Sequence, residues 1–119
     1  MAHWAEIDDN NKVLRITVGD NNDPNGDEGY KWLIDNLGGT WIKASYNTYG
    51  SVHKLGGTPL HKNYPSIGDT WDGTGFYSTS PYPSWFLDQD TYLWKPPVER
   101  PTGEDHWMWV EADLNWQII

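Results

Sequence analysis

Few residues in this chain could carry out chemistry, and the first candidates form a polar loop with a partial calcium-binding pattern. They are Asn21, Asp23, Asn25 and Gly26. In a calcium loop, carboxylate and amide oxygens at alternate positions converge on the cation. Here the first position is Asn instead of Asp, Pro24 interrupts the run, and Trp32 stands where the bidentate acid belongs. The pattern therefore favours an ordinary polar turn, and we predict no metal site.

The histidines and the absence of cysteine also argue against a metal centre. The four histidines are His3, His53, His61 and His106. His53 and His61 are separated by a glycine-rich stretch without an acidic residue, which is not a spacing typical of zinc ligands. Without cysteine the chain has neither disulfides nor thiolate ligands. We expect the histidines to hydrogen-bond within an irregular loop.

Two pairs of carboxylates are the remaining catalytic candidates. They are Asp88 with Asp90, and Glu104 with Asp105. A glycosidase needs two acids that face each other across a cleft, one of them with a raised pKa. Both pairs fall in predicted turns, where solvent keeps the two acids ionised. The sequence also has no glycine-rich phosphate loop, no nucleophilic Ser setting and no dinucleotide fingerprint. We therefore predict that the protein is not an enzyme and has no cofactor.

Aromatic residues are the remaining candidates for a functional site. Nine Trp and seven Tyr raise the aromatic content to 15%, while aliphatic residues are scarce. The candidate interface residues are Trp85, Trp94, Trp107, Trp109, Trp116, Tyr82 and Tyr92. Such rings can stack on sugars or anchor a protein interface, but they can equally form the core of the segments that carry them. We expect at least half of them to be core.

Three related segments place these aromatics on hairpins. Residues 7–13, 87–93 and 110–116 share one pattern: an apolar residue, an acid, a spacer, Asp or Asn, two spacers and a second apolar residue. Asp and Asn hydrogen-bond their own backbone and tolerate a left-handed conformation, so these segments are predicted as strand–turn–strand units. Trp85 and Trp94 bracket the second unit, and Trp107 and Trp116 bracket the third at the same separation.

The first part of the chain predicts a compact core of a hairpin, a helix and a strand. In the hairpin an apolar face of Leu14, Ile16 and Val18 alternates with a solvated face of Arg15 and Thr17. After a polar connection at residues 19–26, where Pro24-Asn25-Gly26 is a tight turn, Asp27 is the predicted cap of a helix. Its apolar residues are Tyr30, Leu33, Ile34 and Leu37.

The helix is expected to end at Gly38 in a left-handed conformation, and a strand follows over residues 40–46. One side of that strand carries Thr40, Ile42, Ala44 and Tyr46. Residues 47–67 have little periodicity and are predicted as an ordered loop. Asp72-Gly73 then indicates the turn of another hairpin.

The expected fold is mainly β with one short α-helix: a small single domain of antiparallel hairpins, the C-terminal ones spaced by prolines. Residues 1–68 form the compact core with its loop. Residues 69–119 form an aromatic- and proline-rich hairpin extension, either in the same domain or as a protruding tail. Each C-terminal hairpin must rest on the core or on another molecule, because two strands bury little surface.

Charge and hydropathy exclude two classes of partner. The net charge of −9 argues against nucleic-acid binding through phosphates. No stretch approaches the roughly 20 apolar residues of a membrane span, and the first residues lack the features of a signal peptide. Residues 36–68 contain no acid, only three Lys and two His. This acid-free stretch could face an acidic neighbour, including another copy of the chain, or arise by chance in a loop.

Many short segments along the chain form a recognisable pattern: residues 3–8, 13–15, 37–42, 45–48, 52–53, 56–60, 62–64, 67–68, 81–85, 87–88, 94 and 96–97. In these segments the chain resembles a family of small proteins of marine tailed bacteriophages, especially those of cyanobacteria and related ocean bacteria. Pro65-Ser66 departs from the Ala-Gly expected there, and residues 69–80 are less typical. The resemblance implies a component of the virion or of its assembly machinery, and it implies no catalytic residues.

The expected function is that of a bacteriophage structural protein, located in the virion. The favoured role is capsid decoration, in which the aromatic hairpins lie across neighbouring subunits or copies of the chain. A tail- or fibre-associated protein is the nearest alternative. A carbohydrate-binding module for host attachment, with exposed Trp rings, is the alternative from another class.

Overall fold

The fold was analysed in a computed structural model, which describes residues 2–19, 26–103 and 105–119. It is mainly β with one α-helix and several antiparallel hairpins in a small single domain, which confirms the predicted fold class. Three strands form the main sheet: β1 (Ala2–Ile7), β2 (Val13–Gly19) and β3 (Thr40–Ala44). Their order is β2-β1-β3, with both pairings antiparallel. The helix α1 (Tyr30–Leu37) lies between β2 and β3 in the chain.

The other strands within the described residues form two-stranded hairpins. They are β4 (Thr48–Tyr49) with β5 (Val52–His53), β6 (Thr70–Trp71) with β7 (Phe76–Tyr77), β8 (Phe86–Leu87) with β9 (Trp94–Lys95), and β10 (Trp107–Val110) with β11 (Asn115–Ile118). A 3-10 turn, η1 (Glu111–Asp113), joins the last two strands. The hairpins predicted around residues 72–73, 88–92 and 111–115 are therefore present.

A β-bulge in the first hairpin changes which residues of β2 are buried. Glu6 pairs with Arg15 and Ile7 pairs with Val13, so Leu14 is the extra residue. Val13 consequently shares a face with Ile16 and is buried, whereas Leu14 is exposed. The prediction that Leu14 belongs to the apolar face was wrong, because alternation is broken where the bulge inserts a residue.

The helix covers the other face of the sheet. The alternation of apolar and polar residues in β2 had predicted that this face would be exposed to solvent. Trp4, Trp41 and Leu33 of α1 form a small buried cluster on this side. The Arg15 guanidinium lies 5.3 Å from the centre of the Trp41 ring, and Arg15 Nε donates to Glu6 Oε1 at 2.8 Å. The Arg15 side chain therefore packs on the indole of Trp41, and this face of the sheet is not wholly exposed to solvent.

Asp27 was predicted to cap the helix, but the N-cap is Gly29, and Asp27 stabilises the start of the helix from two residues before it. Its carboxylate accepts hydrogen bonds from the backbone N–H groups of Gly29 (3.2 Å) and Lys31 (2.9 Å). The helix ends at Gly38 as predicted, but the predicted left-handed conformation is wrong, because the positive φ of 65° is combined with a ψ of −162°. Only Leu33 of the four predicted apolar positions is buried, because the short helix touches the sheet along a narrow line.

The main core lies on the opposite face of the sheet. It comprises Ala5, Ile7, Val13, Ala44 and Phe76. Phe76 belongs to the β6–β7 hairpin, which is tied to the first hairpin through the backbone. Val13 N donates to the Asp69 carbonyl at 2.8 Å, and Trp71 N donates to the Asn11 carbonyl at 2.9 Å. The segment directly after residue 68 thus packs against the sheet.

Asn63 joins the long loop, the β6–β7 hairpin and the β8–β9 hairpin. Its buried side-chain oxygen accepts from Gly50 N at 2.8 Å. Its amide nitrogen lies 3.1 Å from the carbonyl oxygens of Phe76 and Tyr92, and 3.2 Å from that of Thr91. One side chain therefore satisfies backbone groups from three segments that are distant in the sequence.

Each of the three related turns contains one left-handed residue, and only in the first turn is it of the type expected. These residues are Asn11, Tyr92 and Leu114, with φ of 63°, 55° and 48°. Asn adopts this conformation readily, whereas Tyr and Leu do so at a cost in backbone strain. Tyr92 is held there by its buried position and by its hydroxyl, which donates to Asp72 Oδ2 at 2.6 Å.

The molecule is elongated. Its radius of gyration is 17.7 Å and its extents are 56 × 33 × 22 Å. A compact chain of this length has a radius of gyration of roughly 13–14 Å. The last hairpin, β10–β11 with its turn, makes its side-chain hydrogen bonds to other described segments at Ser84 and Val98.

Replacement of Asn63 by Ala is expected to lower the free energy of unfolding by about 2–4 kcal/mol, because it leaves Gly50 N and buried carbonyl oxygens without partners. Urea denaturation followed by tryptophan fluorescence measures this change. The matched control is Asn36→Ala on the exposed surface of α1, which is expected to change stability by about 0.5 kcal/mol or less. Equal effects of the two substitutions would contradict the role of Asn63.

Candidate functional site

Four of the predicted interface residues form one aromatic group, which we call the terminal aromatic cluster. Its members are Tyr82, Trp85, Trp109 and Trp116. Trp109 and Trp116 are cross-strand partners of β10 and β11, with ring centres 5.3 Å apart and nearly perpendicular planes. Trp85 lies 5.8 Å from Trp109 and 6.3 Å from Trp116. Edge-to-face contacts of this kind stabilise a core that has few aliphatic side chains.

Glu111 attaches the last hairpin to the segment before it. Its carboxylate accepts from Ser84 Oγ at 2.6 Å, from Ser84 N at 3.1 Å and from Trp109 Nε1 at 2.9 Å. The hydrogen bond from the Ser84 hydroxyl holds the pKa of Glu111 below its usual value, and the one from the Trp109 indole lowers it further by a smaller amount. The acid of the third related segment thus accepts hydrogen bonds from Ser84 and Trp109. The acids of the first and second segments, Asp8 and Asp88, instead accept from backbone N–H groups of their own turns.

The other three predicted interface residues lie elsewhere. Tyr92 is buried, and Trp94 donates from Nε1 to the Ser78 carbonyl at 2.8 Å, with its ring against Tyr77. Trp107 is on the aromatic face of β10, opposite Ile118, and is half-buried. Tyr92 and Trp109 are core residues, and the other five are half-buried. The structure therefore gathers four of the seven residues and leaves each ring at least partly covered.

The most exposed apolar side chains near the last hairpin are residues that the sequence analysis did not single out. They are Phe86, Met108, Leu114, Ile118 and Ile119. Ile118 is 60% exposed although it pairs with Trp107 on the aromatic face. Alternation along β11 places Ile118 on the same face as Trp116, which is half-buried, so alternation alone does not indicate that Ile118 is exposed. Leu114 lies at the turn of the last hairpin, whereas Ile118 ends β11 and Ile119 follows it. We call these three exposed side chains together the terminal apolar surface.

A cleft of about 580 Å³, which we call the terminal cleft, opens beside the aromatic cluster. It is lined by Trp85, Phe86, Trp116, Pro96, Pro97, Lys95, Glu99 and Arg100. Lys95 forms an ion pair of 2.8 Å with Asp88, which lowers the pKa of Asp88 and raises that of Lys95. Glu99 and Arg100 make no ion pair with the described residues, so their charges are open to a ligand.

Of the residues considered for metal binding or catalysis, His53, His61 and Asp88 have structural roles, and several others lie outside the described part. His53 Nδ1 accepts from the backbone N–H groups of Leu55 and Gly57, and His61 Nδ1 donates to the Lys43 carbonyl at 2.7 Å. Asp88 caps its turn. Most of the calcium-like loop and Glu104 fall outside the described residues, and no cluster of three metal-binding side chains occurs among the residues described.

The lysines of the acid-free stretch are largely engaged within the molecule. Lys43 forms an ion pair with Glu28. Lys62 donates to the Asp90 carbonyl at 3.0 Å and lies over the Tyr92 ring. Lys54 lies 5.0 Å from the centre of the Tyr46 ring and makes no ion pair with the described residues. Lys54 is thus the lysine of this stretch best placed to meet an acidic neighbour.

Comparisons of the chain with models of known families, with curated proteins and with solved structures found no match. Over the residues that are described, no helix is both long and apolar enough to cross a membrane.

Docking of the last hairpin is expected to weaken in acid. Because the folded-state pKa of Glu111 is below its unfolded value of 4.5, its contribution to stability is complete above that pH and is lost as the pH falls through the folded-state pKa. Urea midpoints measured by near-UV circular dichroism between neutral pH and pH ~3 test this. Glu111→Gln should lower the midpoint at neutral pH and flatten its decline in acid.

The control for this experiment is Glu99→Gln, since Glu99 makes no hydrogen bond or ion pair with the described residues. It should leave both the midpoint and its pH dependence unchanged. A Glu111→Gln curve that parallels the unsubstituted protein would exclude Glu111 as the attachment point.

Proposed function

We propose that the protein is a structural component of a bacteriophage virion, and that it decorates the capsid by binding neighbouring subunits. The observation that carries this proposal is the terminal apolar surface at the last hairpin of an elongated molecule. Exposed apolar residues held on a rigid element are typical of protein interfaces. The resemblance to small proteins of marine tailed phages supports the same role.

The terminal aromatic cluster provides the rigidity that such an interface needs. Trp109 is buried, and Glu111 fixes it to Ser84, so the hairpin presents Leu114 and Ile118 without further ordering of its backbone. Binding then costs little conformational entropy. A capsid offers the same contact many times, and weak individual contacts suffice when they are repeated by symmetry.

Charge favours a capsid subunit over a second copy as the partner. The chain carries a net charge of −9, and described acids near the last hairpin include Glu99, Asp105 and Asp113. Copies of such a chain repel one another at low salt, whereas a neutral or basic capsid surface does not. The exposed Lys54 is the exception that could contact an acidic neighbour.

The test is the amount of protein on purified particles. Ile118→Asp is expected to reduce the copy number per particle by about tenfold or more, because it places a charge where the proposed interface buries an apolar side chain. Quantitative mass spectrometry of particles assembled with each variant gives this number. A copy number that matches the capsid lattice in the unsubstituted protein is also expected.

Leu55→Asp is the matched control, since Leu55 is 76% exposed in the long loop and is not part of the terminal apolar surface. It should leave the copy number unchanged. Absence of the protein from particles would refute the proposal. A few copies per particle would instead indicate the tail or fibre role, which is the alternative within the same class.

A further inference from the structure

We propose that the terminal cleft binds a neutral oligosaccharide by stacking pyranose rings on Trp85, Phe86 and Trp116. This site is separate from the terminal apolar surface, and the inference does not depend on the virion role. Its volume of about 580 Å³ is within the usual range of roughly 300–1,000 Å³ for small-molecule sites. The cleft is lined by aromatic rings, prolines and a few charged side chains, as is typical of small-molecule sites.

The two indoles offer carbon surface to the cleft. Trp116 Nε1 already donates to the Val98 carbonyl at 2.8 Å. Trp85 Nε1 is buried and has no hydrogen-bond partner among the described residues, so it does not reach the cleft. Phe86 has no polar atom in its side chain and is 52% exposed. A ligand must therefore meet these three residues with an apolar face.

The same ligand must carry polar groups at its edge. Glu99 accepts hydrogen bonds, Arg100 donates them, and Lys95 lies beside them with its charge balanced by Asp88. A pyranose combines these features, because its C–H groups form flat faces and its hydroxyls, which both donate and accept, form the rim. A purely apolar ligand would leave Glu99 and Arg100 desolvated without partners.

The charges also select among saccharides. Lys95 and Arg100 are balanced locally by Asp88 and Glu99, so the cleft itself has no excess of positive charge. The net charge of −9 on the chain repels an anionic polymer. Neutral hexose chains are therefore preferred to acidic polysaccharides and to nucleic acids.

A proline-rich peptide is the competing ligand, because aromatic grooves also bind extended proline segments. The lack of a free indole N–H among the Trp residues that line the cleft argues against it. In the cleft, one is occupied by Val98 and the other is buried, so neither can donate to a peptide carbonyl. The test below includes this ligand.

The experiment is isothermal titration of the purified protein with cellohexaose, laminarihexaose and maltohexaose. At least one should bind. Phe86→Ala should weaken that binding about five- to tenfold through loss of one stacking contact, and Arg100→Ala should weaken it through loss of hydrogen bonds. Phe86 is half-exposed, so its replacement should leave the urea midpoint near that of the unsubstituted protein.

Trp32→Ala is the matched aromatic control, because Trp32 is 57% exposed on α1, outside the cleft. It should leave the affinity unchanged. The inference is overturned if none of the three hexaoses binds, if Trp32→Ala weakens binding as much as Phe86→Ala, or if decaproline binds more tightly than the sugars. The Phe86→Ala variant should still be found on particles at the normal copy number. Sugar binding and incorporation into particles can therefore fail independently, which distinguishes failure of this site from failure of the virion role.

Discussion

The buried amide of Asn63 is the interaction on which the arrangement of the hairpins depends. A chain with so few aliphatic residues cannot hold four two-stranded hairpins by hydrophobic burial alone. Asn63 supplies both donors and an acceptor at the point where the long loop meets Phe76 and Tyr92. Buried groups of this kind specify one arrangement, because every alternative leaves a polar atom without a partner.

Aromatic rings replace aliphatic side chains along the rest of the molecule. Each large ring buries its carbon surface and needs a partner for its polar tip, which is why Tyr92 reaches Asp72, Trp94 reaches Ser78 and Trp109 reaches Glu111. The first two of these hydrogen bonds join the β8–β9 hairpin to the β6–β7 hairpin and to the residue after it, and Glu111 also joins the last hairpin to Ser84. The chain thus becomes an elongated series of small units instead of a sphere around one core. The two proposed contact sites lie at its terminal unit, one aliphatic and one aromatic.

The candidate site could be predicted in part. Composition and spacing indicated that the aromatic residues near the C-terminus matter, and Tyr82, Trp85, Trp109 and Trp116 do come together. The sequence could not indicate which of them would be covered, since that depends on Ser84 and Glu111 meeting across 27 positions. The exposed residues Phe86 and Ile118 were missed because they belong to the same apolar pattern as buried ones.

By itself the sequence determined the class of fold, the positions of the turns and the residue that stabilises the start of the helix. Those features depend on neighbours in the chain, such as Asp27 with the N–H of Lys31 and Asp88 with that of Asp90. Only the tertiary structure decided the burial of Val13 in place of Leu14, the covering of the Arg15 face by the helix, and the formation of the terminal cleft. A single bulge reverses the alternation on which a sequence-based assignment relies, and contacts between distant segments decide which rings remain in contact with solvent.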